Sequence, residues 1–421
     1  MNGLQTLKAY TILAERFRDV ISRAQRHEYD QQIDLLSDLN SELYVAPNGK
    51  RQKVFCSLTE LGEWLYGKKI ASTTVKRLVD KYQPTGVIPQ SDNKPNIYRI
   101  PMSEAMRIAT GEELKTPFKR DVEQDLQTWL VGNLKGGSGK TTTTYNLALA
   151  LATELPVTYR VGVIDLDPQG SLTATMLPNL SEDAFSVGDI VMQNFELDEG
   201  ETYQDFIRDA FHEINHPNVR VLPAKETDNL FNLRSKELGN DYYKVLEPII
   251  DAVRDDFDII LFDTPPNIND ITIAAHFSAT SVLIPLHPSD KDRDGTYKYL
   301  KTFKILYEEL VKSHDHQGYD NIRMLTVGGI KNSATDQELL REIWYAGGTT
   351  MLPDLGHSEA VKKAAFKYKS VLEISPYEYS MKVDGKVLYG TKESHAAAME
   401  IINTVAVGVE GAMKKTWGLA I

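Results

Sequence analysis

The sequence predicts an α/β fold: a mostly parallel sheet with helices on both faces, preceded by an α-helical arm and a winged helix-turn-helix. Three observations carry that prediction. First, from Thr128 onward short apolar runs (129–131, 161–164, 220–222, 258–262, 282–286 and 324–327) alternate with helical segments. Runs without polar alternation fit strands covered on both faces, as in βαβ units. Second, a glycine-rich stretch at 132–142 separates the first of these runs from a predicted helix. Third, the segment in front has a different rhythm and the opposite charge.

The arm comes first. Residues 4–39 hold almost no Gly or Pro, and Ile12, Leu13, Phe17, Val20, Ile21 and Ala24, then Ile33, Leu35, Leu36 and Leu39, recur at helical spacing. The phase slips between Ala24 and Ile33, so one bent helix or two fit equally. Such a stripe must dock on its own body or on a second subunit. The expected divisions are an arm over 1–43, a winged helix-turn-helix over 44–120 and the α/β domain over 121–421.

Ser57 can cap a short helix carrying Leu58, Leu61, Trp64 and Leu65, and Tyr66-Gly67 breaks it. Ser72 can cap a second helix with Val75, Leu78, Val79 and Tyr82 on its apolar face. Thr73, Thr74, Lys76, Arg77 and Lys81 are left for the other face. Helix, Gly-containing turn, then helix with polar N-terminal residues is the layout whose second helix enters a DNA major groove. Runs at 87–89 and 96–100 form a candidate hairpin wing with Lys94 and Arg99 near phosphate. Residues 51–100 carry nine basic and four acidic residues, a net +5 in a chain of −12. A basic island in an acidic protein fits a nucleic-acid module. The same residues also fit a helical unit that merely packs and an uneven solvated surface.

The chain has 421 residues, 25% charged and 42% hydrophobic, enough for two or three domains and not the composition of a disordered chain. Its one cysteine, Cys56, excludes an internal disulfide and a thiolate metal cluster within one chain. Residues 1–18 lack the apolar core of a signal peptide, and no apolar run approaches the ~20 residues that span a bilayer. The expected address is cytoplasmic.

The glycine-rich stretch reads Gly132-Asn-Leu-Lys-Gly-Gly-Ser-Gly-Lys-Thr-Thr142. Phosphate binding needs convergent backbone N–H groups, a helix N-terminus and a cation. Gly136, Gly137, Ser138 and Gly139 can supply the loop, Lys140 the cation, and Thr141 and Thr142 the helix start, with the Thr141 hydroxyl placed for Mg²⁺. The general pattern wants a glycine where Leu134 stands, and Lys135 follows instead. Val161-Gly-Val-Ile-Asp-Leu-Asp167 ends a strand in two carboxylates, Asp165 and Asp167, and Asp258-Ile-Ile-Leu-Phe-Asp263 ends another in Asp263. Strand-end carboxylates at the C-terminal edge of a parallel sheet sit where ligands bind.

Lys135-Gly-Gly-Ser-Gly-Lys-Thr141 resembles the deviant Walker A loop of the ParA/MinD ATPases. The 161–170 segment resembles that family's Walker A′, and 258–266 its Walker B. The resemblance spans about 128–372 and implies a P-loop ATPase using ATP, ADP and Mg²⁺, with weak turnover. It implies that Lys135 reaches the partner's phosphates in a nucleotide-sandwich homodimer. By the same match Asp167 positions or deprotonates the attacking water, while Asp165 and Asp263 support the Mg²⁺ shell. Residues 286–295 fall at the family's switch and dimer-contact segment, and Asn332 is the candidate adenine contact. Lys362, Lys363, Lys367 and Lys369, over 358–369, fall where ParA proteins touch nonspecific DNA, and they would equally suit a solvated face.

The arm and helix-turn-helix in front resemble the larger ParA partition ATPases. That implies binding of nonspecific DNA with ATP, stimulation by a ParB-type partner, association with the nucleoid, and autorepression at an operator with ADP or no nucleotide. The alternative is a MinD-like ATPase acting on a membrane or other cargo. No membrane contact is expected, because Gly408, Gly411 and Gly418 interrupt the apolar tail.

Overall fold

The computed structural model describes residues 52–90, 95–231, 235–314, 316, 318–328, 334–356, 358–380, 382–383, 386–387 and 389–419. The expected arm, Lys94 and Asn332 lie outside them.

Helix α1 (Leu58–Tyr66) starts where the Ser57 side chain accepts the Glu60 N–H and stops at Gly67, whose φ of 65° only glycine adopts without cost. Helix α2 (Ser72–Tyr82) begins after Ala71 without a side-chain cap, so Ser72 is its first residue rather than its cap. Leu61 and Leu65 bury against Val75, Leu78 and Val79. The two helices meet at Gly62, where a Cβ would come within 2.7 Å of the Val75 side chain. The expected hairpin pairs Val87 with Tyr98 and Ile88 with Ile97. A third helix, α3 (Met102–Gly111), was not anticipated; it buries Met102, Ala105, Ile108 and Ala109 and completes this apolar cluster.

The central sheet follows. Its strands are β1 (Gln127–Val131), β2 (Val161–Asp165), β3 (His212–Glu213), β4 (Val219–Leu222), β5 (Ile259–Asp263), β6 (Ser281–Leu286) and β7 (Asn321–Thr326). Their order is β7-β6-β1-β5-β2-β4-β3, all parallel except the edge strand β3. The predicted apolar runs coincide with β1, β2 and β4–β7. β3 is two residues long with polar termini, and it carried no periodic signal. At the start of β5, buried Asp258 pairs with Arg160 at 2.6 Å, far from the strand's other end. That distance separates it from Asp263.

Helix α4 (Lys140–Thr153) leaves β1 through the glycine-rich loop and is buried on nearly every side. Its stretch 147–152 is apolar on every side, the mark of a core helix. Helix α10 is reached after α5 (Ser171–Met176), α6 (Asp270–Ser278), α7 (Asp290–His314), α8 (Ala334–Gly347) and α9 (Glu359–Phe366). It runs unbroken over Lys392–Thr416, against the expectation that glycines interrupt it. Gly408 lets it approach a neighbouring loop: a Cβ there would lie 3.1 Å from Leu352 Cδ2. By length and composition α10 could cross a membrane, but Ala398, Ile402, Val405, Ala406, Val409 and Met413 are buried in the core shared with α4.

The N-terminal unit grips the far end of α4. Trp64 Nε1 donates to Glu154 Oε1 at 3.2 Å, and Lys115 Nζ donates to the Glu154 and Leu155 carbonyls at 2.9 and 3.1 Å. Lysine on terminal carbonyls complements the negative end of the helix. Burial pulls the Lys115 ammonium down to about 8.

Glu60 lies in the same junction. The Cys56 N–H donates to its Oε2, while its Oε1 is buried with no partner. Burial pushes this carboxyl up to about 7, against the attraction of Lys53. The folded state therefore holds the proton more tightly than the unfolded chain, and that stabilisation is lost as pH rises from about 4.5 to about 7. Denaturant titrations should show Glu60→Gln gaining stability over the wild type by on the order of 1–3 kcal/mol between about pH 5 and about pH 8. A constant difference across that range would contradict the assignment.

Candidate functional site

The C-terminal ends of β1, β2 and β5 converge beneath the loop that opens α4. Gly137 and Gly139 have φ of 76° and 90°. A Cβ on Gly136 or Gly137 would meet nothing within 4 Å, whereas one on Gly139 would lie 2.8 Å from Val327 Cγ1. The loop is thus open on one side and clamped on the other. Ser138 is buried, and its hydroxyl has no protein partner. An unsatisfied buried hydroxyl in a loop of backbone N–H groups fits an oxyanion, as phosphate would supply.

Lys140 Nζ donates to the Lys135 carbonyl at 3.2 Å, folding across the loop. Burial pulls this ammonium down, opposed by Asp263 and Asp167. Thr141 Oγ1 donates to Asp263 Oδ2 at 2.8 Å and Thr144 Oγ1 to Oδ1 at 3.2 Å. Donation leaves the Thr141 oxygen lone pairs free for a cation, with a carboxylate behind them, and this donor set fits hard, oxygen-seeking Mg²⁺.

Asp165 pairs in register with Asp263 on the neighbouring strand. Both are fully buried. Desolvation raises both carboxyls, and the Asp165 charge raises Asp263 further. Two like charges side by side without water favour a bound cation or a shared proton. Asp165 is held by donors other than Thr141. Its Oδ2 takes the N–H and hydroxyl of Thr173 at 2.9 and 2.7 Å, and its Oδ1 takes the Asp167 N–H at 3.1 Å. Asp165 therefore fixes the turn into α5. Asp167, half-buried, accepts the Gln169 N–H. Lys135, Gly136, Gly137, Ser138, Gly139, Lys140, Thr141, Thr142, Asp167 and Asp263 meet at one edge of the sheet, as expected.

Sequence reasoning missed Asn133, Thr144 and Thr173. Asn133 is buried just past β1; its Oδ1 accepts the Lys135 N–H at 3.2 Å, and its Nδ2 donates to the Pro285 carbonyl and Thr296 Oγ1. Its one visible cue was an amide in a turn directly after a buried strand.

The expected DNA contacts divide. Ser72, Thr73, Thr74, Lys76 and Arg77 stand exposed together on α2. Lys81 is exposed but bonds Glu112 at 2.5 Å. Arg99 turns inward, donating to the Tyr98 carbonyl with its guanidinium 5.5 Å from the Tyr377 ring. On the C-terminal side, α9 ends at Phe366, so Lys367 and Lys369 lie past the helix that was expected to carry them. Lys363 Nζ donates to the Tyr389 carbonyl, Lys367 lies over the Tyr389 ring and Lys369 pairs with Glu378. Lys362 remains exposed on the helix.

A family model described as an AAA domain matches residues 127–315. The plasmid partition protein A of Escherichia coli is 27% identical over 286 residues, covering 64% of this chain and 69% of that protein. The chromosome partitioning protein ParA of Caulobacter vibrioides (strain NA1000 / CB15N) is 27% identical over 214 residues, covering 50% of this chain and 73% of that one. Among solved structures, a partition protein superposes with a TM-score of 0.61 at 20% identity, over 96% of this chain and 97% of that one.

The two left-handed glycines separate two costs. Gly137→Ala should lose about 1 kcal/mol from its φ alone, whereas Gly139→Ala adds the clash with Val327 and should lose about 2–4 kcal/mol in denaturant melts. Equal losses would show that the Val327 contact does not constrain the loop.

Proposed function

We propose that this chain, which is similar to plasmid and chromosome partition proteins of the ParA type, works as a DNA-partition ATPase. The observation that carries the reading is the Thr141–Asp263 bond at the mouth of a loop whose Ser138 hydroxyl is buried without a partner. The glycines and the α4 N-terminus would cradle the phosphates of ATP, and Lys140 would leave the Lys135 carbonyl for their charge. Thr141 and Asp263 would hold Mg²⁺, which supplies charge neutralisation at the β- and γ-phosphates. Asp167 would orient the attacking water and accept its proton as the water oxygen bonds the γ-phosphorus and ADP leaves. Asp165 acts one step back, holding Asp167 through its backbone N–H.

Lys135 would reach the phosphates of a second copy in an ATP-bound homodimer, so turnover would depend on pairing. That dimer would bind nonspecific DNA and release it when a ParB-type partner stimulates hydrolysis. Lys362 and Lys363 are the basic residues of the C-terminal set exposed on the helix, Lys363 with its ammonium on the Tyr389 carbonyl. With ADP or no nucleotide, α2 would read an operator, which the open polar face of Ser72, Thr73, Thr74, Lys76 and Arg77 supports. A symmetric pair would match two half-sites.

Two measurements test the reading. A labelled random duplex, titrated at fixed salt, should bind tightly with ATP and weakly with ADP or no nucleotide. Lys140→Gln should lose that ATP-dependent binding by at least about tenfold; equal binding in all nucleotide states would overturn the proposal. Lys76→Ala combined with Arg77→Ala should weaken binding to the chain's own operator by about 10–100-fold while sparing the random duplex, since phosphate and base contacts add at separate sites. Parallel loss of both activities would argue for one shared DNA surface.

A further inference from the structure

We infer that Asn133 is a positioning residue for Lys135, tying the cation to the elements that flank the loop. The inference rests on the ATPase reading and adds a residue to it. Asn133 occupies the first turn after β1 and is buried to 2% exposure. A side-chain amide has one acceptor and two donor hydrogens, and here all have work: Oδ1 takes the Lys135 N–H at 3.2 Å, and Nδ2 gives to the Pro285 carbonyl at 2.9 Å and to Thr296 Oγ1 at 3.1 Å. Three elements are joined through one side chain: the loop, the end of β6, and α7.

The geometry makes Lys135 dependent on that junction. Gly136 and Gly137 follow it with open space around them, and past them Lys140 Nζ holds the Lys135 carbonyl at 3.2 Å, so Asn133 secures the N–H side of this residue and Lys140 its carbonyl side. Upstream, Gly132 N–H is anchored to the Leu283 carbonyl on β6. Asn133 extends the same anchorage two residues further and fixes the Lys135 peptide. On the far side the Lys135 stem runs past Gly295, where a Cβ would lie 3.6 Å from Lys135 Cβ and 3.8 Å from Cδ. Thr296, which holds Asn133, is the next residue along α7. A shift of α7 relative to β6 would therefore move Asn133 and, with it, the backbone from which Lys135 projects. Small misplacements of a charge-stabilising group cost large factors in rate with little change in ground-state binding.

The test uses the full chain with ATP, and compares turnover with equilibrium binding of a fluorescent nucleotide. Asn133→Ala should lower kcat about 10–100-fold while nucleotide affinity stays within about threefold. On a Lys135→Ala background it should cost little more, because both substitutions then remove one function. Thr296→Val removes one anchor from a different helix and should lower kcat by a smaller factor, about 3–10-fold, with the same lack of additivity. It decides the question if Asn133→Ala does not fold. Hydrogen exchange at the Lys135 amide, which needs no turnover, should speed about tenfold in Asn133→Ala. Wild-type turnover in both variants, full additional losses on the Lys135→Ala background, or unchanged amide exchange would each overturn the assignment. Absence of turnover in the wild type would instead count against the ATPase reading, and the exchange measurement alone would then decide the role of Asn133.

Discussion

Two carboxyl groups, Asp165 and Asp263, are buried side by side at the ends of adjacent central strands, and much of the site is arranged around the cost of placing them there. An isolated buried carboxylate would protonate or unfold its surroundings. Here each is supplied with donors: Thr173 and the Asp167 backbone for one, Thr141 and Thr144 for the other. Thr141 and Thr144 stand at the start of α4, Thr173 in the first turn of α5 and the Asp167 N–H in the turn before it, so satisfying the pair fixes where both helices begin. The positive end of α4 and the Lys140 ammonium face the same space. The result is a site with its negative charge already in place, which a cation and a polyphosphate would complete.

That arrangement works only if α4 does not move under load. Its burial on nearly all sides gives the required stiffness, since a helix in contact with the sheet, α10 and the loop at 370–375 has no free face along which to slide. Two buried polar ties reinforce it: Ser370 Oγ donates to Asn146 Oδ1 at 2.6 Å, and the Tyr145 hydroxyl donates to Glu373. The glycine loop at one end is correspondingly free of side-chain packing on its ligand side. Rigidity and openness are divided between neighbouring segments of the chain.

How much of this was legible in the sequence varied with the physics of each part. The buried strands of the sheet's interior were plain because unbroken apolar runs have few other uses. The loop and its three aspartates were plain because glycines, lysine and strand-end carboxylates at these spacings answer one chemical demand. Edge strand β3 was not, because two polar-flanked residues carry no periodicity. Helix α10 was misjudged: glycine disfavours helix when exposed, yet Gly408 is there because a neighbouring loop comes close, a tertiary reason invisible locally. The four lysines over 358–369 were read by charge alone, and charge does not say that Tyr389 and Glu378 would claim three of them. Asn133 was hidden for a similar reason, since its partners lie about 150 residues away in sequence.

The grip of Trp64 and Lys115 on the last turn of α4 has a consequence for how such chains can be assembled and recombined. The N-terminal unit is joined to the sheet domain by more than a tether: it closes the end of the helix that the glycine-rich loop opens. Exchanging that unit for another by recombination would strip Glu154 and Leu155 of their donors unless the incoming piece brought an indole and an ammonium to the same two places. The joint therefore behaves as a fitted socket, which limits the headpieces that this sheet domain could accept.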